Sequence, residues 1–377
     1  MDFSLSDEQV LLQDSVQRFI QNDYSFALRQ KLIASDAGFS QEIWQQFADL
    51  GWLALPFAEE WGGIGGSPID TMILLEAFGR GLVVEPYLST VVLAGKCLEM
   101  GGSRIHKESL LAEIIAGQCF GALAFVEPQA RFNLSDVTTT ATQSGTGYVL
   151  NGFKGVVLGG PAAQFLVVPA RTSGAQRDDQ GITLFVVDVA KAGVQRRDYA
   201  TIDGGRASEF HFEGVSLDAA DVLGTVDAGL ELLQSVIDYA ILAIGAEAVG
   251  AMEVAYKSTV EYCKTREQFG QPIGKFQVLQ HRMVDMFMEH EQSKSLLYMA
   301  AMRLDEGYDQ AARKAVSALK VQVGKSGRFV GESAIQLHGG MGMTEEMSIG
   351  HYFKRLTTID TLFGNADFHL RRYSQVQ

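Results

Sequence analysis

The chain has 377 residues, of which 47% are hydrophobic and 20% are charged, and its formal net charge is −14. This length suffices for two or three domains around a large core, and the acidic balance excludes nucleic acid as the main partner because phosphate binding needs a net basic face. The three cysteines and seven histidines show neither a metal-ligand spacing nor a disulfide framework, so no metal site is expected.

The sequence shows neither the pattern of a targeting signal nor that of a membrane-spanning segment. It opens with acidic residues rather than with a basic flank and an apolar stretch, so no secretory or transit signal is expected. The apolar run at 240–248 contains Glu247 and is shorter than the ~20 residues that span a bilayer. We therefore expect a cytoplasmic protein without a membrane span.

The first third of the chain has helical patterns. Ser6 followed by Gln9 is a capping box, which predicts that a helix begins at the next residue. Glycine pairs at 62–66 resemble a phosphate loop, but no strand precedes them and no Lys-Ser/Thr follows, so a tight packing loop is the preferred interpretation. Further helices are predicted from about Gln41 to Gly51 and at 69–79, 89–100 and 109–117.

The middle of the chain has the composition of strands. Short segments rich in Val, Phe and Leu are separated by clusters of Gly, Asp and Ser, which predicts a β lobe of roughly one hundred residues between two helical lobes. The predicted strands lie at 148–153, 165–168, 182–187 and 209–213.

After Gly224 the pattern is helical almost throughout. Helices at 227–263, 278–306 and about 312–337 are long enough to pack as a bundle, and a final helical segment from about residue 350 is interrupted near Gly364. We therefore predict an α+β fold with domains at 1–118, 119–225 and 226–377.

Two segments of the predicted bundle contain glycine or proline residues that interrupt the helical pattern. Residues 264–280 join the first two bundle helices and contain Gly270, Pro272 and Gly274, which fix an irregular backbone that can present an arginine and glutamines to a ligand. The glycines at 339–342 end the third helix. Taken singly, each segment has a simple structural interpretation, a loop with solvated charges in the first case and a helix stop in the second.

The order and sizes of the three lobes resemble the acyl-CoA dehydrogenase family over essentially the whole chain. The resemblance is specific at Thr-Arg-Glu-Gln-Phe-Gly (265–270) followed by Phe-Gln (276–277), Gln-Leu-His-Gly-Gly-Met-Gly (336–342), Phe-Val-Glu-Pro (125–128), Leu-Asn-Gly-Phe-Lys (150–154) and Leu-Pro-Phe-Ala-Glu-Glu-Trp-Gly-Gly (55–63). It implies an N-terminal helical lobe, a central β-barrel-like lobe and a C-terminal four-helix bundle. It also implies a flavoprotein oxidoreductase of lipid metabolism with FAD as cofactor, an acyl-CoA substrate and electron-transfer flavoprotein as the electron acceptor.

Two of these motifs carry the expected cofactor site. In the family, Arg-x-x-Phe-Gly and Gln-x-x-Gly-Gly hold the pyrophosphate and adenosine end of FAD across a dimer interface. A guanidinium pairs with phosphate oxygens through a planar fork, and amides at a glycine turn approach closely because no Cβ intervenes. The resemblance assigns this role to Arg266, Phe269, Gln277, Gln336, Gly339 and Gly340.

The chain departs from the family where the chemistry takes place. Val126-Glu127-Pro128 and Val156-Val157-Leu158 replace the Thr-Glu-Pro and Trp-Ile-Thr segments that contact the flavin ring. Gly364 occupies the position of the glutamate base of a Tyr-Glu-Gly-Thr segment, and the second place for a base, at 239–241, also lacks an acid. Because the α-C–H of an acyl thioester is only weakly acidic, a positioned carboxylate is required. No catalytic residue is assigned, although the acids Asp238, Glu247, Asp360 and Asp367 lie nearby in the sequence or in the predicted fold.

Four hypotheses follow. The preferred one is that the chain resembles the small subunit of heteromeric acyl-CoA dehydrogenases, completes the FAD site of a catalytic sister chain and lacks the base itself, because the motifs that reach across the interface survive while those of its own site are lost. The second is a complete homo-oligomeric acyl-CoA dehydrogenase with a non-standard base. A flavin oxidase or monooxygenase of the same architecture and a non-flavin structural or binding protein are the other two.

Overall fold

The structure, a computed structural model, describes residues 4–375. The chain divides into two compact units. One contains the described residues up to Lys31, Ser67–Val83 and the chain from Ile241 onward, and the other contains Leu32–Gly66 and Val84–Ala240. The division into domains at 1–118, 119–225 and 226–377 stays a prediction, and its outer ends, residues 1 and 377, lie outside the described residues.

Helices dominate the chain before residue 120. The predicted capping box is confirmed, since Ser6 Oγ accepts from Gln9 N at 3.2 Å and Gln9 Oε1 accepts from Ser6 N at 3.1 Å. The helices are α1 (Asp7–Asn22), α2 (Phe26–Ala34), α3 (Gln41–Asp49), α4 (Pro68–Gly81), α5 (Lys96–Gly101), α6 (Arg104–His106) and α7 (Ala112–Ile115), with a 3-10 turn at Glu59–Trp61 and π-helical turns at Leu88–Gly95 and Lys107–Leu111.

Helix α2 was not predicted because the residue it buries is charged. Arg29 is 1% exposed, and its Nε donates to the carbonyl of Leu82 at 2.9 Å. Its Nη1 lies 3.2 Å from Nδ1 of His351. A helix that is anchored inward by a guanidinium lacks the apolar periodicity on which the prediction of helices depends.

The central sheet contains the four predicted strands. They lie within β3, β4, β5 and β7, whereas β2 and β6 escaped prediction because their exposed, largely polar residues lack the expected composition. The strands are β1 (Gly121–Leu123), β2 (Thr140–Ser144), β3 (Gly147–Leu158), β4 (Phe165–Arg171), β5 (Ile182–Asp188), β6 (Val194–Ala200), β7 (Arg206–Leu217) and β8 (Val222–Leu223).

The sheet has the order β6-β7-β3-β2-β4-β5-β8, with β1 paired to β4. Strands β6 and β8 end this order, and the sheet forms the β lobe that was predicted between the two helical lobes. One face is filled by a fully buried apolar cluster that includes Leu150, Val168, Phe185 and Phe210.

Long helices form the rest of the chain, as predicted. They are α8 (Gly229–Thr265), α9 (Gln277–Glu306), α10 (Gln310–His338), α11 (Ser348–Thr361) and α12 (Ala366–Gln375), with the short strands β9 (Glu267–Gln268) and β10 (Gln271–Pro272) between α8 and α9. By length and composition α8 could cross a membrane, but 89% of its apolar window is buried inside the protein. It is therefore a core helix.

Helices α4 and α8 cross at two glycines. A Cβ built on Gly79 would lie 2.0 Å from the carbonyl oxygen of Glu247, and one on Gly250 would lie 1.9 Å from that of Glu76. The missing side chains let the two backbones touch. Glycine in a helix interior is otherwise unfavourable, so this contact explains why both positions carry it.

Candidate functional site

The segment between α8 and α9 folds as a β-hairpin, where a loop was predicted. Gln268 pairs with Gln271, and Phe269 and Gly270 form the two-residue turn with φ angles of +53° and +77°. Positive φ at both positions is what a type I′ turn requires, but for phenylalanine it costs of order 1 kcal/mol. The Phe269 side chain is 91% exposed, and its ring centroid lies 6.1 Å from that of Phe276.

The structure brings the two glycine-containing motifs together. The ring of Tyr262, on the last turn but one of α8, stacks on that of His338 at the end of α10, with centroids 4.3 Å apart and planes 27° apart. The amide of Arg266 donates to the carbonyl of Tyr262 at 2.8 Å, and Gly339 directly follows His338. Arg266 and the Gly339-Gly340 turn therefore each follow, within four residues, one ring of the stacked pair.

All six predicted cofactor residues are exposed in the isolated chain, namely Arg266, Phe269, Gln277, Gln336, Gly339 and Gly340. A Cβ built on Gly270, Gly339 or Gly340 would meet no atom within 4 Å. The hairpin and the glycine turn thus expose bare backbone, and Arg266 directly precedes the hairpin. We call these six residues the cradle. An exposed guanidinium and bare backbone amides suit the phosphates of a group that approaches from outside the chain.

Exposed apolar side chains continue from the cradle along α9 and the turn after α10. They are Val278 (73% exposed), Val284 (54%), Phe287 and Met288 (46% each), Met341 (51%) and Met343 (71%). Methionine and phenylalanine side chains exposed in this number are typical of a surface that another molecule covers. We call them the apolar flank.

The two segments expected to face the flavin ring are adjacent in the sheet unit. The amide of Gly155 donates to the carbonyl of Val126 at 2.9 Å. Val156 has a φ of +50°, which is strained for a β-branched residue, and its side chain is 46% exposed. Both segments therefore present aliphatic side chains where the resemblance implies hydrogen-bonding or stacking ones.

Glu127, the acid in the first of these segments, forms a buried ion pair with Lys154. Glu127 is 1% exposed, and its carboxylate accepts from Lys154 Nζ at 2.6 Å, from the amides of Thr138 and Thr139 at 2.7 and 3.1 Å, and from Gln129 Nε2 at 2.8 Å. Burial opposes ionisation of Glu127, but the Lys154 charge and these hydrogen bonds outweigh it and lower its pKa to about 2. Such a carboxylate is too weak a base to remove an α-proton.

The turn at Gly364 has no room for the side chain of a base. Lys320 Nζ donates to the carbonyl of Gly364 at 2.7 Å, and His369 Nε2 donates to that of Phe363 at 2.9 Å. A Cβ on Gly364 would lie 2.5 Å from Phe368 Cδ1 and 2.7 Å from His369 Nε2. Neither Gly364 nor the neighbouring Phe363 carries a carboxylate.

The four nearby acids are placed as follows. Glu247 is 5% exposed and forms a two-point ion pair with Arg355 at 2.6 and 2.7 Å, which gives it a structural role. Asp360 has a buried Oδ1 without a partner, 2.4 Å from where a Cβ of Gly324 would be. Asp238 is 1% exposed, and Asp367 is exposed on the first turn of α12.

The cap of α12 comes from Asn365. The side-chain oxygen of Asn365 accepts from the amide of Phe368 at 3.0 Å. Asn is among the residues that cap helices most effectively.

Substitution of Gly364 tests how tightly this turn is closed. Gly364→Ala is expected to lower the free energy of unfolding by about 2–5 kcal/mol, because it combines strain at a φ of +110° with contacts to Phe368 and His369 that are too close. Gly307 has a φ of +139° and open space around its Cβ position, so Gly307→Ala reports the backbone strain alone. Urea unfolding of both variants measures the difference, and equal losses would contradict the steric account.

Sequence reasoning did not single out Tyr262, His338 or Lys154 for a role. Tyr262 lies one helical turn before Arg266, His338 directly precedes Gly339, and Lys154 lies within a motif already noted. Their positions beside motif residues were the available signal. Local sequence could not show that Tyr262 and His338 contact each other across 76 residues, or that Lys154 pairs with Glu127 across 27 residues.

Comparison with known proteins covers nearly the whole chain. Three family models match in order: "Acyl-CoA dehydrogenase, N-terminal domain" at residues 6–118, the middle domain at 122–215 and the C-terminal domain at 227–376. A protein from Solanum tuberosum described as mitochondrial isovaleryl-CoA dehydrogenase is 31% identical over 355 residues, which cover 92% of this chain and 85% of that protein.

Solved structures are similar over the full length. A chain of the ChsE4–ChsE5 complex from Mycobacterium tuberculosis matches with a TM-score of 0.90 and 26% identity, covering 100% of this chain and 98% of that chain. The FAD complex of PigA matches with a TM-score of 0.92 and 25% identity, again covering 100% of this chain and 98% of that chain. The sequence and the fold therefore indicate the same family.

Proposed function

Because the chain belongs to the acyl-CoA dehydrogenase family, we propose that it is the subunit that completes the FAD site of a catalytic sister chain and lacks the catalytic base itself. The observation that carries the proposal is the contrast between two sites. The cradle is intact and exposed, whereas the segments of the chain's own flavin and base site are aliphatic, bonded internally or closed.

Each cradle residue has a defined task in this proposal. The guanidinium of Arg266 pairs with phosphate oxygens, and the amides of the Gly339-Gly340 turn donate to them from bare backbone. Gln277 and Gln336 hold the adenosine end through their side-chain amides. Bound FAD supplies the acceptor for the hydride that leaves the β-carbon of an acyl-CoA thioester, while the carboxylate that takes the α-proton belongs to the sister chain.

Pairing with another chain is supported by the surface, and pairing with a non-identical chain is supported by a similar structure. The apolar flank beside the cradle gives a partner a surface to cover. The similar ChsE4–ChsE5 structure is a complex of two differently named chains. The proposal includes an acyl-CoA substrate and electron-transfer flavoprotein as acceptor, and it places the protein in the cytoplasm.

Co-expression with a neighbouring acyl-CoA dehydrogenase gene tests the proposal directly. The chain purified alone is expected to hold little flavin, and the purified complex is expected to show a flavin absorption spectrum that bleaches when an acyl-CoA is added. Activity of the complex should survive Asp367→Asn in this chain. A yellow protein that is bleached by acyl-CoA without any sister chain would instead establish a complete homo-oligomeric enzyme with a non-standard base.

The strained tip of the hairpin gives a prediction in which stability and function change in opposite directions. Phe269→Gly is expected to leave the unfolding free energy of the chain unchanged or up to about 1 kcal/mol higher, because glycine adopts the +53° φ without strain. FAD retention by the complex should fall about tenfold, since the exposed ring is lost from the covered surface. Equilibrium dialysis and urea unfolding measure the two effects.

A second variant at the same position separates ring from backbone. Phe269→Ala removes the ring but keeps a Cβ that is strained at positive φ, so FAD retention should fall as in Phe269→Gly while the gain in stability is absent. A fall in stability combined with unchanged FAD retention would show that Phe269 serves the chain's own fold and has no role at the cradle.

A further inference from the structure

A stacked pair of rings lies beneath the cradle. Tyr262 belongs to α8 and His338 to α10, with ring centroids 4.3 Å apart and an interplanar angle of 27°. His338 is 4% exposed and Tyr262 is half-buried. Tyr262 Oη also donates to the carbonyl of His338 at 3.5 Å. The pair therefore links the ends of two helices that each lead into one half of the cradle.

The hydrogen bond of His338 shows which of its ring nitrogens carries a proton. Its Nδ1 lies 2.8 Å from the carbonyl oxygen of Ala334, which can only accept, so Nδ1 carries the proton. Burial lowers the pKa of His338 more than this bond raises it, so the ring is neutral at pH 7. The ring is therefore fixed in one orientation by the turn of helix that precedes it.

Both halves of the cradle begin within four residues of this pair. The amide of Arg266 donates to the carbonyl of Tyr262 at 2.8 Å. Gly339, with a φ of +62°, leaves the helix at the residue after His338, and a Cβ on Gly342 would lie 3.0 Å from His338 Cβ. A change in the spacing of the two rings would therefore change the separation of the guanidinium and the glycine amides.

We infer that the Tyr262–His338 stack is a positioning element that sets the separation between Arg266 and the Gly339-Gly340 turn, and thereby the affinity for the pyrophosphate and adenosine end of FAD. The inference rests on the proposed function of the cradle. A pyrophosphate presents its oxygens at a fixed spacing, and donors must match that spacing within about 0.5 Å to bind it well. Neither ring needs to touch the cofactor.

The test measures FAD affinity in the complex with the sister chain, after removal of flavin, by the fluorescence change on adding FAD. Tyr262→Leu is expected to raise the dissociation constant about tenfold, and Tyr262→Phe, which keeps the ring, should stay within about twofold of the unaltered protein. ADP, which carries the pyrophosphate and adenosine without the flavin ring, should compete less well by the same factor in Tyr262→Leu.

A second tyrosine–histidine pair in the same unit provides the matched control. Tyr256, also on α8, has its ring centroid 5.2 Å from that of His290 on α9. Tyr256→Leu removes a ring contact away from the cradle and should leave the dissociation constant of FAD within about twofold. Because Tyr256 also contacts Phe287 of the apolar flank, at a centroid distance of 6.0 Å, gel filtration verifies that this variant still assembles with the sister chain. If Tyr262→Leu prevents assembly of the complex, His338→Gln removes the other ring while keeping a donor for Ala334, and the tenfold effect is expected there.

The outcomes separate this inference from the proposed function. If Arg266→Ala weakens FAD binding but Tyr262→Leu weakens it no more than Tyr256→Leu does, the stack is merely structural and the inference is wrong while the proposed function stands. If Tyr262→Phe weakens binding as much as Tyr262→Leu, the hydroxyl acts and the stack does not. If Arg266→Ala has no effect, the cradle itself is misassigned.

Discussion

Arg266→Ala is expected to weaken FAD binding by the complex about 30- to 100-fold. A charge-assisted, two-point bond to phosphate contributes roughly 2–3 kcal/mol, and each 1.4 kcal/mol is a factor of ten. Arg266 is exposed in the isolated chain, so the variant should keep the melting temperature of the chain unchanged. Flavin content after gel filtration and titration with FAD measure the effect, and activity of the complex should fall with it.

Two further variants refine this result. Arg266→Lys keeps the charge but loses the planar fork, so its dissociation constant should lie between those of the unaltered protein and Arg266→Ala. Arg303, an arginine on α9 that pairs with Glu306 in the next turn, is the control, and Arg303→Ala should retain flavin fully. Flavin retention unaffected by Arg266→Ala would exclude the assignment of the cradle as an FAD site.

Lys154→Met is expected to lower the free energy of unfolding by about 3–5 kcal/mol at pH 7. The substitution leaves the Glu127 carboxylate, which is 1% exposed, without the ammonium that lies 2.6 Å from it. Removing one partner of a buried ion pair is far more costly than removing one partner of an exposed pair. Lys264→Met, which breaks an exposed pair with Glu261, should cost less than about 1 kcal/mol in the same urea titration.

The pH dependence of this effect has a definite sign. The pKa of Glu127 is lowered from 4.5 to about 2, so the pair stabilises the fold fully above pH 4.5 and loses its contribution as the pH falls toward 2. In Lys154→Met the carboxyl can be neutralised by protonation, so the loss of stability should shrink below pH 4.5. The double variant Glu127→Gln/Lys154→Met should be more stable than Lys154→Met at pH 7, and a pH-independent loss would contradict the ion-pair account.

Local patterns predicted much of the fold because short-range physics decides them. The capping box at Ser6, the strand composition at 182–187 and the long periodic runs of α8, α9 and α10 depend on residues within a few positions of one another. Prediction failed where a distant partner supplies the stability. Helix α2 is anchored by Arg29 to residues 53 and 322 positions away, and β6 is a polar edge strand held by β7.

The candidate site divides in the same way. By itself, the sequence determined the family, the presence of both FAD motifs and the absence of a glutamate at Gly364, because these are facts about which residue types occur and in what order. Only the tertiary structure decided that the motifs meet at Tyr262 and His338, that Lys154 uses up Glu127, and that Phe368 and His369 close the turn at Gly364. Each of these depends on packing between residues that are separated along the chain or turned toward one another by the backbone, and residue type and spacing do not specify that packing.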